Sequence, residues 1–295
     1  MATVSRAGTS ERFGFIQKHG KQIGISYLCH WLKISRSGYY TWLDRPLSHL
    51  ISNNCNLSKK IIRIYHDSRG TYGSPRVHQA LKKQGVAVGK KRVERLMRAL
   101  KLRARVVKVT RRQPGLKRFK QRGKNLRLDL PAPQSVNQMW VADITYIKVK
   151  ESYKFLSVIM DLYSRRILSW SLTHTRTTND TAKVLNRAIR MRNPDPGLIF
   201  HTDRGIEFTG KGFRKVLKKH HMKPSVNRLG FCTDNGHMES YFHSLKAELI
   251  RGRTFNSMKE LRTALNSYIN HFYNKKRLHS GISYCSPVEY EMMSG

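Results

Sequence analysis

The sequence predicts a mixed α/β sheet with flanking helices, preceded by small all-α helix-turn-helix modules, and three observations predict it. WVADITYIKV, FLSVIMD and RILSWSL are β-branched and aromatic runs joined by the short polar connections KES and LYSR, which reads as an antiparallel meander. A helical pattern, the compact strand GLIFHTD and another helix follow, so the order strand, strand, strand, helix, strand, helix excludes a bundle. Ahead of the meander, apolar residues recur at helical spacing instead.

Taken in order, the segment from Gly24 to Trp42 places Ile25, Leu28, Leu32 and Ile34 before a Ser-rich turn and the aromatics Tyr39, Tyr40 and Trp42, which predicts two short helices. Between Ser58 and Leu102, Ile61, Ile62 and Tyr65 mark one helix, and Val77, Ala80 and Leu81 a second. Val93, Leu96, Met97 and Leu100 give a third at i, i+3, i+4, i+7. The breakers TYGSP and QGVAVGKK separate them. The third helix is basic, so Lys90, Lys91, Arg92, Arg95 and Arg98 are expected to face a DNA groove or its phosphates. A plain three-helix bundle with a solvated basic face is the alternative.

From Lys90 to Arg127 there are 17 basic residues against the single acid Glu94. The part beyond Val106 lacks apolar periodicity and reads as a flexible linker that orders on phosphate, with Arg111, Arg112, Lys117 and Arg118 as further nucleic-acid contacts. ProAlaPro at 131–133 punctuates its end. Later, Thr177 to Arg192 is expected to be a helix opened by Thr, Asn and Asp, and a further helix runs from Thr209 to about His221. The expected divisions are an N-terminal helical DNA-binding segment 1–57, a helix-turn-helix module 58–105, a basic linker 106–134, an α/β core 135–252 and a helical tail 253–295.

Charge narrows the function classes. The chain has 57 Lys+Arg against 18 Asp+Glu, a formal +39, although charged residues are an ordinary 25% of its 295. Residues 1–130 hold 31 basic and 5 acidic side chains (+26), and residues 131–295 hold 26 and 13 (+13). Such a surplus favours a polyanion, because neutralising phosphates releases counterions. Nucleic acid leads; a solubilising surface, an anionic membrane or a ribosomal-type RNA are the alternatives. With 4 Trp, 13 Tyr and 11 Phe, wholesale disorder is excluded. No apolar run approaches the roughly 18 residues that span a bilayer. The start carries no apolar signal core and the four cysteines form no CxxC pair, so a cytoplasmic chain with reduced thiols is expected.

Against this background the few acids matter. Asp143 lies inside the apolar run WVADITYI, where a lone carboxylate is costly unless a cation compensates it; a strand-edge Asp facing solvent is the competing reading. Asp203 ends the strand GLIFHTD, the end at which ligands bind in open α/β sheets, though taken alone a turn or capping role is the better reading. Glu239 lies in DNGHMESYFHSLKAELI, where Met238, Phe242, Leu245 and Leu249 form a buried stripe and Glu239, His243 and Lys246 a second row on its flank. Glu239 is therefore expected to be half-buried, and Asp234 to cap that helix, a place near the site being its alternative. If a sheet gathers the three carboxylates, hard divalent ions with oxygen ligands answer their repulsion. Two such ions roughly 4 Å apart would clamp a phosphodiester.

WVADITYI, HTDRG and DNGHMES, with 35 residues between Asp203 and Glu239, resemble the Asp-Asp-Glu motif of the retroviral-integrase superfamily. More closely, the chain resembles insertion-sequence transposases with an integrase catalytic core. GTYGSPRVHQAL is similar to the helix-turn-helix region ahead of that core, ISRSGYYTWL to the N-terminal part and YNKKRLHSGISYCSP to the C-terminal tail. The likeness runs from about residue 25 to 290.

The resemblance implies an RNase H-like five-stranded mixed sheet, with Asp143, Asp203 and Glu239 as catalytic ligands of two Mg²⁺ ions, Mn²⁺ being a substitute, and Lys246 contacting DNA near the scissile phosphate. It implies double-stranded DNA, element ends and target, as substrate, a homo-oligomer of at least two protomers, no membrane partner, and a bacterial cytoplasmic protein held at the nucleoid when bound. The implied activity is metal-dependent cleavage and strand transfer. A non-catalytic DNA-binding protein and an RNase H-like nuclease without joining are the alternatives. The sequence departs from the family's more frequent residues at Ile206, Glu207, Phe208 and Thr233, and Glu207 is expected at the surface, with tuning of the metal site as the alternative. No His and Cys pairs suited to an integrase zinc domain precede the core.

Among the histidines, the adjacent His220 and His221 cannot face one way on a helix and read as solvated surface. His201 shares the strand face of Asp203; support for the site and simple strand packing are both open. His279, grouped with Lys275, Lys276 and Arg277, reads as a phosphate contact rather than a metal ligand. Tyr268, Phe272 and Tyr273 follow helical spacing and are expected in the core.

Overall fold

Short apolar stretches close the N-terminal part around a small aromatic core. In the computed structural model, residues 8–44, 49–105, 123–229 and 231–294 are described, and the chain divides into two compact units, Met1–Lys59 and Lys60–Gly295. In the first, α1 (Thr9–Ile23), α2 (Ile25–Trp31) and α3 (Arg36–Leu43) bury Phe13, Ile16, Leu28, Leu32 and Tyr39 together. The expected pair between Gly24 and Trp42 is α2 and α3. α1 went unread in the sequence because it buries only Phe13, Ile16 and Gly20 along its length. Gly24, at φ +96°, turns α1 into α2 in a conformation that a Cβ would strain. The Ser35 hydroxyl caps α3, accepting from the Gly38 N–H at 3.2 Å.

Next come α4 (His49–Asp67), α5 (Ser74–Lys83) and α6 (Lys90–Ala99). Val77 and Leu81 of α5 and Val93 and Met97 of α6 are buried, as their spacing requires. Gly85, at φ +74°, makes the α5–α6 turn, and a His78 ring nitrogen meets the Val88 carbonyl at 3.0 Å across it. Residues 106–122, which include Arg111, Arg112, Lys117 and Arg118, lie outside the described residues.

The sheet has five strands in the order β3-β2-β1-β4-β5. β1 (Met139–Val149), β2 (Ser152–Asp161) and β3 (Ile167–Thr173) form the expected antiparallel meander. α7 (Thr178–Arg192) crosses to β4 (Ile199–Thr202), which pairs parallel with the centre of the sheet, Ala142 opposite Thr202. α8 (Lys211–Lys219) leads to β5 (Lys223–Val226), an edge strand whose Pro224 its position tolerates. Thr177 and Asp180 close a reciprocal capping box on α7.

Alternation along β1 divides the sheet into two faces. Trp140, Ala142 and the partly buried Ile144 pack with Leu185, Phe200 and Phe213 under α7 and α8. Val141, Asp143 and Thr145 therefore face the other way, toward α9 (Gly236–Leu245). Beyond α9, Lys246–Ile250 continues as a π-helical turn, followed by α10 (Met258–Asn266), π-helical Ser267–Tyr273 and α11 (Pro287–Ser294).

This tail is sewn to the rest of its unit by polar groups. The Tyr72 hydroxyl donates to the Lys276 carbonyl at 3.1 Å and accepts from the Leu278 N–H at 2.7 Å. Arg69 donates to the Ser267 hydroxyl at 2.9 Å, and Arg105 to the Glu248 carbonyl at 3.3 Å. Tyr268, Phe272 and Tyr273 are buried, as their spacing predicts. Among the described residues no helix is long and apolar enough to cross a membrane.

Candidate active site

Asp143 and Asp203 come side by side because β1 and β4 pair in parallel register up to Ala142 and Thr202, and each Asp is the next residue on its chain. Their side chains leave the sheet on the face that α9 covers. Asn235 fixes that helix, its side-chain amide donating to the Ala142 carbonyl at 3.1 Å. The first turn of α9 is thereby held over β1, and it carries Glu239, half-buried as its place beside the stripe of Met238, Phe242, Leu245 and Leu249 requires.

The two aspartates are also half-buried, and each is held by one backbone donor. Asp143 Oδ1 accepts from the Ile144 N–H at 2.7 Å and Asp203 Oδ1 from the Gly205 N–H at 2.9 Å. Burial, reinforced by the carboxylates of Asp203, Glu239 and Glu207, pushes the Asp143 carboxyl up to about 8. Burial and then Glu207 raise Asp203 as well, against the Gly205 hydrogen bond and Arg176. Four acids thus share one electrostatic environment. Among the described residues no three His, Cys, Asp or Glu side chains stand as an assembled metal cage.

Glu207 corrects the expectation of a surface residue. It is 5% exposed while its neighbour Ile206 is 72% exposed, the reverse of what hydropathy dictates. The chain makes a single 3₁₀ turn, Ile206–Phe208, after Gly205, which turns the acid inward. Its carboxylate pairs with Arg176 Nε at 3.0 Å, and its carbonyl accepts from the Thr181 hydroxyl at 2.7 Å. Gly205 leaves room for the two acids, since a Cβ there would stand 2.9 Å from Asp203 Oδ1 and 3.1 Å from the Glu207 carboxyl carbon and would press both side chains aside. A place for Glu207 at the site was the less favoured of its two readings, its signal being an acid four residues after Asp203 in a sequence with few acids, and Arg176 gave no signal.

Asp234 is also a correction. The residue at the cap of α9 is Asn235, without a side-chain capping bond, and the Asp234 carboxylate serves elsewhere. It accepts from the Arg228 N–H at 2.8 Å, from the Arg228 guanidinium at 2.9 Å and from the Asn125 amide at 2.8 Å. Burial alone would raise it, but these donors hold it below the usual carboxylate range. Asp234 therefore ties residue 125 and the loop before α9 together.

Lys246 follows Glu239 by two turns on the same row. Its ammonium lies 5.0 Å from the centre of the Tyr146 ring, on the same strand as Asp143. Burial lowers its pKa and the attraction of Asp143 opposes that. On α6, Lys90, Lys91, Arg95 and Arg98 are exposed, and Arg92 is half-buried; Arg98 pairs with Glu94 at 3.3 Å. His201 proves to be a packed strand histidine. It is fully buried, its ring nitrogens meeting the Ser225 hydroxyl at 2.9 Å and Asn227 Oδ1 at 2.8 Å. The group around His279 splits, with Lys275 and Lys276 exposed and Arg277 and His279 buried.

Residues 133–232 and 239–294 match integrase core domain families, and residues 52–110 match an HTH-like domain. The chain is 32% identical over 286 residues to the transposase InsF for insertion sequence IS3A of Escherichia coli (strain K12), covering 95% of this chain and 98% of that protein. It is 33% identical over 263 residues to the 31 kDa protein of insertion element IS600 from Shigella sonnei, covering 89% and 97%. A solved simian T-cell lymphotropic virus intasome, in complex with PP2A regulatory subunit B56 gamma, aligns with 72% of this chain and 69% of its own at 17% identity and a TM-score of 0.47.

Proposed function

The chain belongs to the family of the IS3 transposases, with an integrase core domain and an HTH-like domain, and from that membership we propose that Asp143, Asp203 and Glu239 hold two Mg²⁺ ions at which DNA strands are cut and joined. Its function is DNA transposition. The observation that carries the triad is the register of β1 on β4 with the Asn235 clamp, which sets Asp143 beside Asp203 and under the helix of Glu239. The donor set fits hard cations. It offers carboxylate oxygens crowded enough that burial, reinforced by Asp203, Glu239 and Glu207, raises the pKa of Asp143 to about 8, and the buried Asn235 side-chain oxygen has no partner among the described residues. Mn²⁺ shares that oxygen preference.

Bound there, the ions supply Lewis acidity to a phosphodiester. The chain's own groups do the rest. Lys246, steadied on Tyr146, holds a backbone phosphate next to Asp143. The α6 cations Lys90, Lys91, Arg92, Arg95 and Arg98 hold duplex DNA, and Arg111, Arg112, Lys117 and Arg118, outside the described residues, extend that contact. Hydrolysis of one phosphodiester frees a 3′ hydroxyl. That hydroxyl attacks a second phosphodiester, forming one P–O bond as the old 3′ oxygen leaves with the proton. No side chain is consumed as a nucleophile, so positioning and fixed charge carry the rate. Joining two element ends requires at least two protomers.

The test is 3′-end cleavage and strand transfer by Asp203→Asn on DNA carrying the element ends. Both steps should fall by about 10³-fold or more while DNA binding persists. Undiminished activity would refute the assignment.

A further inference from the structure

Behind α9, a cavity of about 260 Å³ is built from parts that the transposition chemistry does not use. His237, Ser240, Tyr241 and Ser244 line it from α9. At about 100° per residue these four fall within one arc of about 100°, and Glu239 lies about 150° from its centre. The cavity and the carboxylates are therefore on opposite sides of the helix.

Its charge is one-sided. Arg76 enters from α5, Arg165 from the β2–β3 turn and Arg277 from the tail, and no acid lines the cavity among the described residues. Arg277 is neutralised by Glu248, its Nη2 at 2.6 Å and its Nε at 2.9 Å from the carboxylate oxygens. Arg76 lies over the Tyr72 ring at 5.8 Å, and neither Arg76 nor Arg165 forms an ion pair among the described residues. Burial lowers the pKa of both, and Arg277 lowers Arg76 further.

Three hydrogen-bonding atoms in this wall are buried without a partner among the described residues: Arg165 Nη1, the Tyr241 hydroxyl and His279 Nε2. Tyr241 is 2% exposed and His279 9%. His279 Nδ1 stands 3.3 Å from Arg277 Nη1, and a hydrogen bond to the Tyr273 backbone also acts on the ring. Of the three orphans, Arg165 Nη1 and the Tyr241 hydroxyl can donate whatever the tautomer of His279. A water molecule brings no charge, whereas a tetrahedral oxyanion answers these donors and the guanidinium charges of Arg76 and Arg165 together.

We propose that this cavity is a second, non-catalytic site that takes one phosphate group, with Arg165 and Tyr241 as its donors and His279 in its wall. Ser280 and Gly281 form its exposed lip, and through Arg165, His237 and Gly281 it adjoins a cavity of about 400 Å³ edged by Arg127. The phosphate belongs either to a DNA strand lying along these cavities or to free phosphate. The assignment stands apart from the triad and from transposition activity.

Equilibrium dialysis of the full chain against radiolabelled inorganic phosphate tests it, at ionic strength fixed by chloride and without divalent metal. Wild type should show one saturable site per chain, weakened at least tenfold by Arg165→Gln. If a DNA fragment carrying the element ends displaces the phosphate, and Arg165→Gln flattens the slope of log K against log salt for that DNA by about 1, the ligand is a strand phosphate. If DNA does not displace it and the slope is unchanged, the ligand is free phosphate. Absence of a saturable site in wild type overturns the proposal even if the variant does not fold, and so does equal binding by both proteins.

Discussion

Arg176 Nε stands 3.0 Å from Glu207 Oε1, and the arginine side chain is 52% exposed where the glutamate is 5% exposed. A buried carboxylate beside Asp203 is thus compensated by a cation that water reaches. Removing only the cation strands a buried charge, which costs more than the pair contributes. After allowance for solvent screening at the arginine, Arg176→Ala should destabilise the protein by about 1–2 kcal/mol. Glu207→Gln in the same background should restore most of it. Urea unfolding of the four proteins of the double-mutant cycle measures the coupling, and strictly additive effects would contradict the pairing.

Divalent metal should stabilise the fold whether or not DNA is present. A ligand bound only by the native state adds about 1.4 kcal/mol for each tenfold excess over its dissociation constant. Thermal unfolding in Mg²⁺ against equal ionic strength of Na⁺ should raise the Tm of wild type and leave Asp143→Asn and Asp203→Asn unmoved. An equal rise in all three would place the metal elsewhere.

His201 gives a pH dependence of known sign. Burial, opposed by its hydrogen bond to Asn227, lowers its pKa to about 4. The unfolded residue takes up its proton near pH 6.5. Between those values the unfolded state binds more protons, so the stability His201 contributes is full above about pH 6.5 and is lost as pH falls toward 4. The loss is at most about 3 kcal/mol. The slope of unfolding free energy between pH 4 and 6.5 should be shallower in His201→Gln than in wild type; identical slopes would mean that His201 titrates normally.

Arg277 and Glu248, each 5% exposed in its side chain, form a forked pair to which the Tyr268 hydroxyl donates at 2.7 Å. Arg277→Ala should cost about 3–5 kcal/mol by leaving the acid buried alone. Arg277→Lys should recover only part of this, because an ammonium cannot reproduce the fork. Denaturant midpoints of the two variants check the order, and full recovery by lysine would remove geometry as the cause.

The meander was legible because its strands alternate and its connections are short, and α7 because Thr177 and Asp180 announce its start. β5 was not readable from its residues, since KPSV has no apolar run and exists as a strand only because β4 offers it an edge. Asp143, Asp203 and Glu239 stood out as acids in a basic chain, each at a place where a carboxylate is costly or useful. Glu207 was expected at the surface, and a one-turn 3₁₀ segment reversed the burial that polarity alone would give Ile206 and Glu207. Asp234 was misread as a cap because its partners, Arg228 and Asn125, reach it only through the folded loop.

By itself the sequence determined what depends on neighbours along the chain: the first four strands and the flanking helices of the sheet, the basic α6 face, and the residue types and spacing that mark the transposase family. Periodicity and charge are local quantities and survive without coordinates. Only the tertiary structure decided which distant groups share a dielectric environment. It set Glu207 and Arg176 at the edge of the carboxylates, paired Arg277 with Glu248, and left polar atoms of Arg165, Tyr241 and His279 unmatched behind α9. Burial and pairing depend on partners brought together from across the chain, and the cost of a buried charge or donor is fixed only once those partners are in place.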